Sequence, residues 1–160
     1  MRSQKRVFTS LRKPPMISVR PVASPDELAW RTLWRSYLAF YEIDLPDHVY
    51  RTSFRRLVDP TIGDYQGLLA TESATAVGLA HCIFHRHGWK IENVCYLQDL
   101  YVEPQHRGSG IARRLIDAVY EKADAAGCGD VYWMTQTFNT VARRLYDRVG
   151  VATPFMKYRR

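Results

Sequence analysis

Between Cys95 and Ala112 the chain reads CYLQDLYVEPQHRGSGIA, and the residue types in this stretch suit the holding of a phosphate. Tyr96, Leu97, Leu100, Tyr101 and Val102 form a β-prone apolar run, Pro104 stops it, and Gly108 and Gly110 lead into a helical pattern. A strand thus feeds a glycine turn that opens a helix. Such a turn leaves backbone N–H groups unpaired at the positive end of the helix dipole, where a pyrophosphate is held without a lysine. A second set of residues lies in NTVARRLYDRVG, positions 139 to 150, where Asn139, Ala142 and Tyr146 fall on one helical face. Tyr146 stands about two turns, or ~10 Å, beyond Asn139 and brings a hydroxyl that can serve as an acid.

Neither of two familiar phosphate loops fits. The triphosphate loop needs Lys with Ser or Thr after its second glycine, and here Gly110 is followed by Ile111 and Ala112. The dinucleotide fingerprint needs a third glycine where Arg113 stands. What remains is Gln105, Gly108 and Gly110 behind the strand LQDLYV, and with Asn139, Ala142, Leu145 and Tyr146 downstream this resembles the GCN5-related N-acetyltransferases (GNAT superfamily). GLAHCIFHRHGW, CYLQDLYVEP, VYWMTQTFN and ARRLYDRV resemble the branch that includes yeast histone and polyamine acetyltransferases and bacterial relatives.

The resemblance implies acetyl-CoA as co-substrate and a primary amine as acceptor: a polyamine, an amino acid or a lysine side chain. It implies that Leu100, Tyr101 and Val102 line the pantetheine and the acetyl oxygen. Arg107, Gly108, Ser109, Gly110, Ile111, Ala112 and Arg113 would surround the pyrophosphate, Asn139 would touch the pantetheine arm, and Tyr146 would protonate the departing sulfur. A homodimer is implied as well.

Amine chemistry explains the need for such groups. An alkyl ammonium of pKa ~10.4 is less than roughly 0.1% neutral at pH 7, and only the neutral amine attacks a thioester, so a proton must be removed. A free backbone N–H on a splayed strand around Leu100 to Val102 would stabilise the developing oxyanion. For the base, polyamine acetyltransferases carry a Glu-Asp pair where this chain has Gln98-Asp99. Asp99 can accept the proton through water, as can Glu92 or His85, or it can bind the substrate ammonium or cap a turn. The missing first carboxylate keeps open an alternative, a non-catalytic acyl-CoA-binding regulator of the same fold.

His81, His85 and His87 share one face of a strand, but His81 and His85 would stand ~13 Å apart, so no metal site is expected. Trp30, Trp34, Tyr37, Phe40 and Tyr41 read as core and pocket wall. The chain has 160 residues, 46% hydrophobic, enough for one domain with a real core. Cys82, Cys95 and Cys128 are an odd number without CxxC spacing, which suits a reducing, cytoplasmic compartment. No apolar run approaches the ~20 residues of a membrane span.

The net charge of +7 sits at the ends. Residues 1–15 hold five basic groups and no acid, and Lys157, Arg159 and Arg160 add three, which leaves 15 basic residues against 16 acidic ones in between. That distribution argues for solvated ends over a nucleic-acid surface. Residues 1–15 are expected as a disordered basic leader and 16–160 as one catalytic domain.

From Met16 onward, strand and helix patterns alternate. Ile17 and Val19 suggest a strand, Ser24-Pro25-Asp26-Glu27 starts a helix whose stripe includes Leu28, Leu33, Trp34 and Leu38, and a second helix runs through Val49, Phe54 and Leu57. Residues 67–71, 76–87 and 94–102 read as an antiparallel meander. A helix follows the glycine turn to Gly127, then a strand at 131–135, then a helix capped by Asn139 or Thr140 with Val141, Leu145 and Val149 inward, and a final strand at 155–159. The expected fold is mixed α/β, of order β-α-α-β-β-β-α-β-α-β, three layers around a splayed central sheet, as the resemblance implies.

Overall fold

A computed structural model describes residues 16–160; the basic leader expected at 1–15 lies outside the described residues. Strand β1 (Ile17–Pro21) enters a turn in which Asp26 accepts from the Ala23 N–H at 2.8 Å and from the Arg20 guanidinium at 2.6 and 2.7 Å. Helix α1 (Glu27–Phe40) follows and buries Trp30, Leu33, Trp34 and Leu38, an i, i+3, i+4 stripe that faces the sheet. Leu28, expected on that stripe, is exposed instead. Helix α2 (Asp47–Val58) buries Tyr50 and Phe54. Strands β2 (Tyr65–Glu72), β3 (Thr75–His85) and β4 (Val94–Val102) form the expected antiparallel meander. Helix α3 (Ile111–Ala125) leads to β5 (Val131–Tyr132), and α4 (Thr140–Val149) comes after it.

The sheet order is β1-β2-β3-β4-β5, antiparallel except for the parallel β4–β5 pair. Helices α1 and α2 cover one face with a core of Trp30, Trp34, Tyr50, Leu69 and Leu79. Helix α3 covers the other with Leu115, Ile116, Val119 and Ala123, which meet Ala80, Cys82, Leu97 and Val102. Each fully buried Leu, Ile or Val contributes about 1.5–3 kcal/mol, so these two layers hold the sheet between them.

Two features of β4 shape the cleft at its end. First, the β3–β4 register pairs Asp99 with His81 but Leu97 with Cys82, so Gln98 is an extra residue, a β-bulge. Cys95 and Leu97 face α3, and after the bulge Leu100 and Val102 do so. Asp99 and Tyr101 therefore turn to the α1 side, which strict alternation from Leu97 would forbid. Second, β5 pairs with β4 only at Cys95 and Tyr96. Beyond that point the two segments diverge.

Three expectations are corrected. The strand expected at 131–135 shortens to Val131–Tyr132. Val141 is exposed, because α4 lays only Leu145, Tyr146 and Val149 against the core. The strand expected at 155–159 does not form among the described residues: Phe155, Met156 and Tyr158 are exposed, and without a neighbouring strand the segment has no ladder to join.

Candidate active site

The phosphate-type loop is built by backbone geometry. After β4 a 3-10 turn (Pro104–His106) redirects the chain, and Gly108 and Gly110 take φ of 78° and 84°, a left-handed region that β-carbon crowding denies most residues. Gly110 is the N-cap of α3, no side chain caps that end, and the first intrahelical bond runs from Arg114 N–H to the Gly110 carbonyl at 3.1 Å. The N–H groups of Ile111, Ala112 and Arg113 are thus the orphan donors of the helix start. A β-carbon built on Gly108 or Gly110 would meet nothing within 4 Å, so the space over the turn is open. These donors and this room fit a pyrophosphate.

Side chains brace the turn. Arg107 Nε donates to the Val102 carbonyl at 2.8 Å with its guanidinium over the Tyr101 ring, Ser109 Oγ donates to the His106 carbonyl at 2.5 Å, and His106 Nδ1 lies 2.8 Å from Glu72. Arg113 folds outward onto Asp117 at 3.0 Å. Its backbone serves the turn while its side chain does not.

The gap between β4 and the segment after β5 leads from this turn. Glu103 N–H donates to the Val77 carbonyl at 2.9 Å, so alternation directs the Tyr101 N–H to β3 as well and leaves those of Leu100 and Val102 facing the gap. The Tyr101 backbone is spent within the sheet. Across the gap, Asn139 caps α4 through a long 3.4 Å contact with the Ala142 N–H, and its own amide approaches Thr135 Oγ1 at 3.4 Å. Tyr146 packs on Trp133 with ring centroids 5.5 Å apart, and Gly150 lets that tryptophan sit against the end of α4. Burial pushes the Tyr146 hydroxyl up to about 12, with the nearby Tyr41 adding to it. Tyr146 holds its proton throughout the neutral range.

Asp99 is buried beneath α1. Its Oδ2 lies 2.8 Å from His81 Nδ1 and accepts from Trp34 Nε1 at 3.2 Å, and Trp30 Nε1 donates to His81 Nε2 at 2.7 Å. Burial first, and then the Asp99 charge, push the pKa of Tyr37 and Tyr65 well above the usual phenol range, and that of Tyr96 rises for the same two reasons. Tyr41 acts on Tyr37, Tyr96 and Tyr146 alike. Tyr41 thus lies near Tyr37, Tyr96 and Tyr146, and Asp99 lies near Tyr37, Tyr65 and Tyr96.

Gln98 is exposed on the bulge. His85, another candidate base, lies outward, with Nδ1 donating to the Arg86 carbonyl at 2.9 Å and Nε2 accepting from the Tyr132 hydroxyl at 2.9 Å, and Glu92 is exposed in a loop. Among the described residues no His, Cys, Asp or Glu cluster could hold a metal. Two surface hollows, about 490 Å³ beside Glu92 and Asp130 and about 460 Å³ beside Tyr65 and Leu57, lie away from the β4 gap.

Trp30, Trp34 and His81 join the site although their spacing in the sequence does not mark them for it. The signal for His81 lies in GLAHC, where it sits in an unbroken apolar run, the pattern of a strand buried on both faces.

The profile of the acetyltransferase (GNAT) family matches residues 30–151. The D-amino-acid N-acetyltransferase HPA3 of Saccharomyces cerevisiae is 40% identical over 146 residues, covering 90% of each chain. A thialysine N-epsilon-acetyltransferase of Bos taurus is 36% identical over 74 residues, 46% of this chain and 43% of that protein. In fold, AAC(6')-Iy solved with the bisubstrate analogue CoA-S-monomethyl-acetylneamine superposes with a TM-score of 0.78 at 20% identity, covering 91% of this chain and 98% of the other. The chain belongs to the acetyltransferase (GNAT) family and is an N-acetyltransferase that uses acetyl-CoA.

Proposed function

We propose that the acceptor is the primary amine of a small free molecule, with amino acids the favoured class, and that Asp99 and Tyr146 are the catalytic pair. The observation that carries the reading is a buried carboxylate with tyrosines around it, together with a phenol that keeps its proton at neutral pH. The 40% identical yeast relative, named for D-amino acids, supports the acceptor class.

Acetyl-CoA supplies an electrophilic thioester carbonyl and a thiol leaving group. The first-turn N–H groups of Ile111, Ala112 and Arg113, with Gly108 and Gly110 shaping the turn, would hold its pyrophosphate. Ser109 and Arg107 keep the turn in place, and Asn139 would face the pantetheine arm. The Leu100 and Val102 N–H groups would bind along the gap and at the acetyl oxygen. Asp99 attracts the incoming ammonium. That ammonium yields one proton to water before attack, since only the neutral amine has a lone pair, and Asp99 receives the second as the new N–C bond makes the nitrogen acidic. Tyr146 donates a hydrogen bond to the departing sulfur.

The span 16–160 acts as one catalytic domain in this reading. A homodimer is proposed with it: Val151, Phe155, Met156 and Tyr158 are large exposed apolar side chains at the end of the chain, an area that a second copy would cover. Cys82, Cys95 and Cys128 are free thiols, which supports a cytoplasmic site of action, and no helix among the described residues is long and apolar enough to cross a membrane.

The test is thiol release from acetyl-CoA against a panel of D- and L-amino acids, thialysine, polyamines and lysine peptides. Turnover on free amino acids is expected. Turnover confined to peptides, or acetyl-CoA binding with no turnover on any acceptor, would overturn the reading, the latter in favour of a regulator.

A further inference from the structure

We infer that His81 is a positioning residue, locked by Trp30 in the form that aims the Asp99 carboxylate at the substrate ammonium without neutralising it; the inference rests on the role proposed for Asp99.

An indole N–H can only donate. Trp30 Nε1 stands 2.7 Å from His81 Nε2, so that ring nitrogen presents its lone pair and the ring proton sits on Nδ1. Nδ1–H then donates to Asp99 Oδ2 at 2.8 Å. A second ring proton would meet the Trp30 N–H head on. The geometry therefore selects neutral histidine beside a carboxylate.

Other groups complete the arrangement. Trp34 Nε1 donates to the same Oδ2 at 3.2 Å, so both nitrogen donors fall on one oxygen, and the Tyr37 hydroxyl is a further hydrogen-bonding neighbour of the carboxylate. The indole of Trp34 stands edge-on to the His81 ring at 5.4 Å and that of Trp30 lies tilted at 5.9 Å, which fixes the ring plane. Tyr37 from α1, Tyr65 from β2 and Tyr96 from β4 are the other titratable groups facing Asp99, and all three are phenols raised in pKa. Among the described residues no Lys or Arg lies within 4 Å of Asp99. A carboxylate 6% exposed and without a cation is a costly thing to bury. An amine substrate brings the missing charge, and a protonated histidine would have supplied it too early.

Four readouts test this on the full chain. Nitrogen-15 NMR of the wild type should show His81 as the Nδ1–H tautomer. His81→Asn, whose amide keeps a donor near the Nδ1 position, should hold amine KM within about threefold. His81→Phe should raise amine KM about tenfold or more, since a hydrogen bond to a charged group is lost, with acetyl-CoA affinity unchanged. Trp30→Phe should remove the donor that holds the Nε2 lone pair, so that the same NMR reads a mixture of the two ring tautomers and amine KM rises.

An Nε2–H tautomer in the wild type, or a wild-type KM in His81→Phe, would overturn the inference. Should Trp30→Phe fail to fold, the tautomer and the two His81 variants decide alone. A wild type that acetylates no amine would defeat the proposed function instead, and the NMR readout would still judge the lock.

Discussion

Gly110→Ala puts the phosphate-type turn under a stress whose size comes from the backbone. At φ 84° an alanine enters the left-handed region, which costs about 1–2 kcal/mol, while its β-carbon meets no atom within 4 Å, so no clash adds to the figure. The strain has two places to appear. If the turn keeps its shape, the free protein loses that stability and its Tm falls by roughly 2–8 °C for a chain of this size. If the turn relaxes, the Ile111, Ala112 and Arg113 N–H groups swing away from the pyrophosphate and CoA binds about 5–30-fold more weakly, at 1.4 kcal/mol per tenfold. Calorimetric titration with CoA and thermal unfolding with and without saturating CoA read both routes, and the saturated protein carries the sum. Gly110→Asn is the control, since asparagine tolerates the left-handed region and should show a smaller total. A Gly110→Ala protein with wild-type CoA affinity and wild-type Tm would refute the account of the turn.

Tyr146→Phe should lower kcat by about 10²-fold or more while acetyl-CoA affinity stays within about twofold; unchanged turnover would remove Tyr146 from the chemistry. Because burial raises Tyr146 to about 12 from the ordinary 10, its contribution to stability is complete below pH 10 and is lost as pH climbs through 12. The activity profile of the wild type between pH 7 and 10 should accordingly carry no falling limb that Tyr146→Phe abolishes. Gly150→Ala would bring a β-carbon to 2.6 Å from the Trp133 ring, which forces Trp133 against Tyr146 and should cost about 1–3 kcal/mol on unfolding. A silent Gly150→Ala would mean that this packing does not position α4.

The strand, the glycine turn and the helix after it are legible in the sequence because each announces itself locally: a β-branched and aromatic run, Pro104, Gly108 and Gly110, then an apolar stripe. Asn139 as the cap of α4 is legible for the same reason. The bulge is not. CYLQDLYV reads as an unbroken strand, and only the pairing with β3 reveals that Gln98 is the extra residue. Without that pairing, Gln98 passes for a lost carboxylate in the site, when the acid that faces α1 is its neighbour Asp99. His81 looks like one of three equivalent histidines when judged by strand spacing, whereas its flanking Leu79, Ala80 and Cys82 are what set it apart as buried. The contact between Trp30 and His81 joins positions 51 residues apart, which local spacing cannot see. The strand expected at 155–159 rests on a short apolar-containing segment and on the order the resemblance implies, and such a segment without a partner strand makes no ladder.

The extra residue at position 98 also governs how this strand can drift over generations. Replacement of an exposed side chain on a bulge leaves the phase of every later residue intact. Removal of that one residue would close the strand into plain alternation, Leu97 to α3 and Asp99 to α1, with the gap-facing amides unmoved; what would turn Asp99 toward α3 and Leu100 toward α1 is Gln98 drawn into the ladder as an ordinary paired residue. At this position both the letter and the residue itself can change while Asp99 keeps its side, whereas a single insertion or deletion elsewhere in the strand would turn every later side chain over.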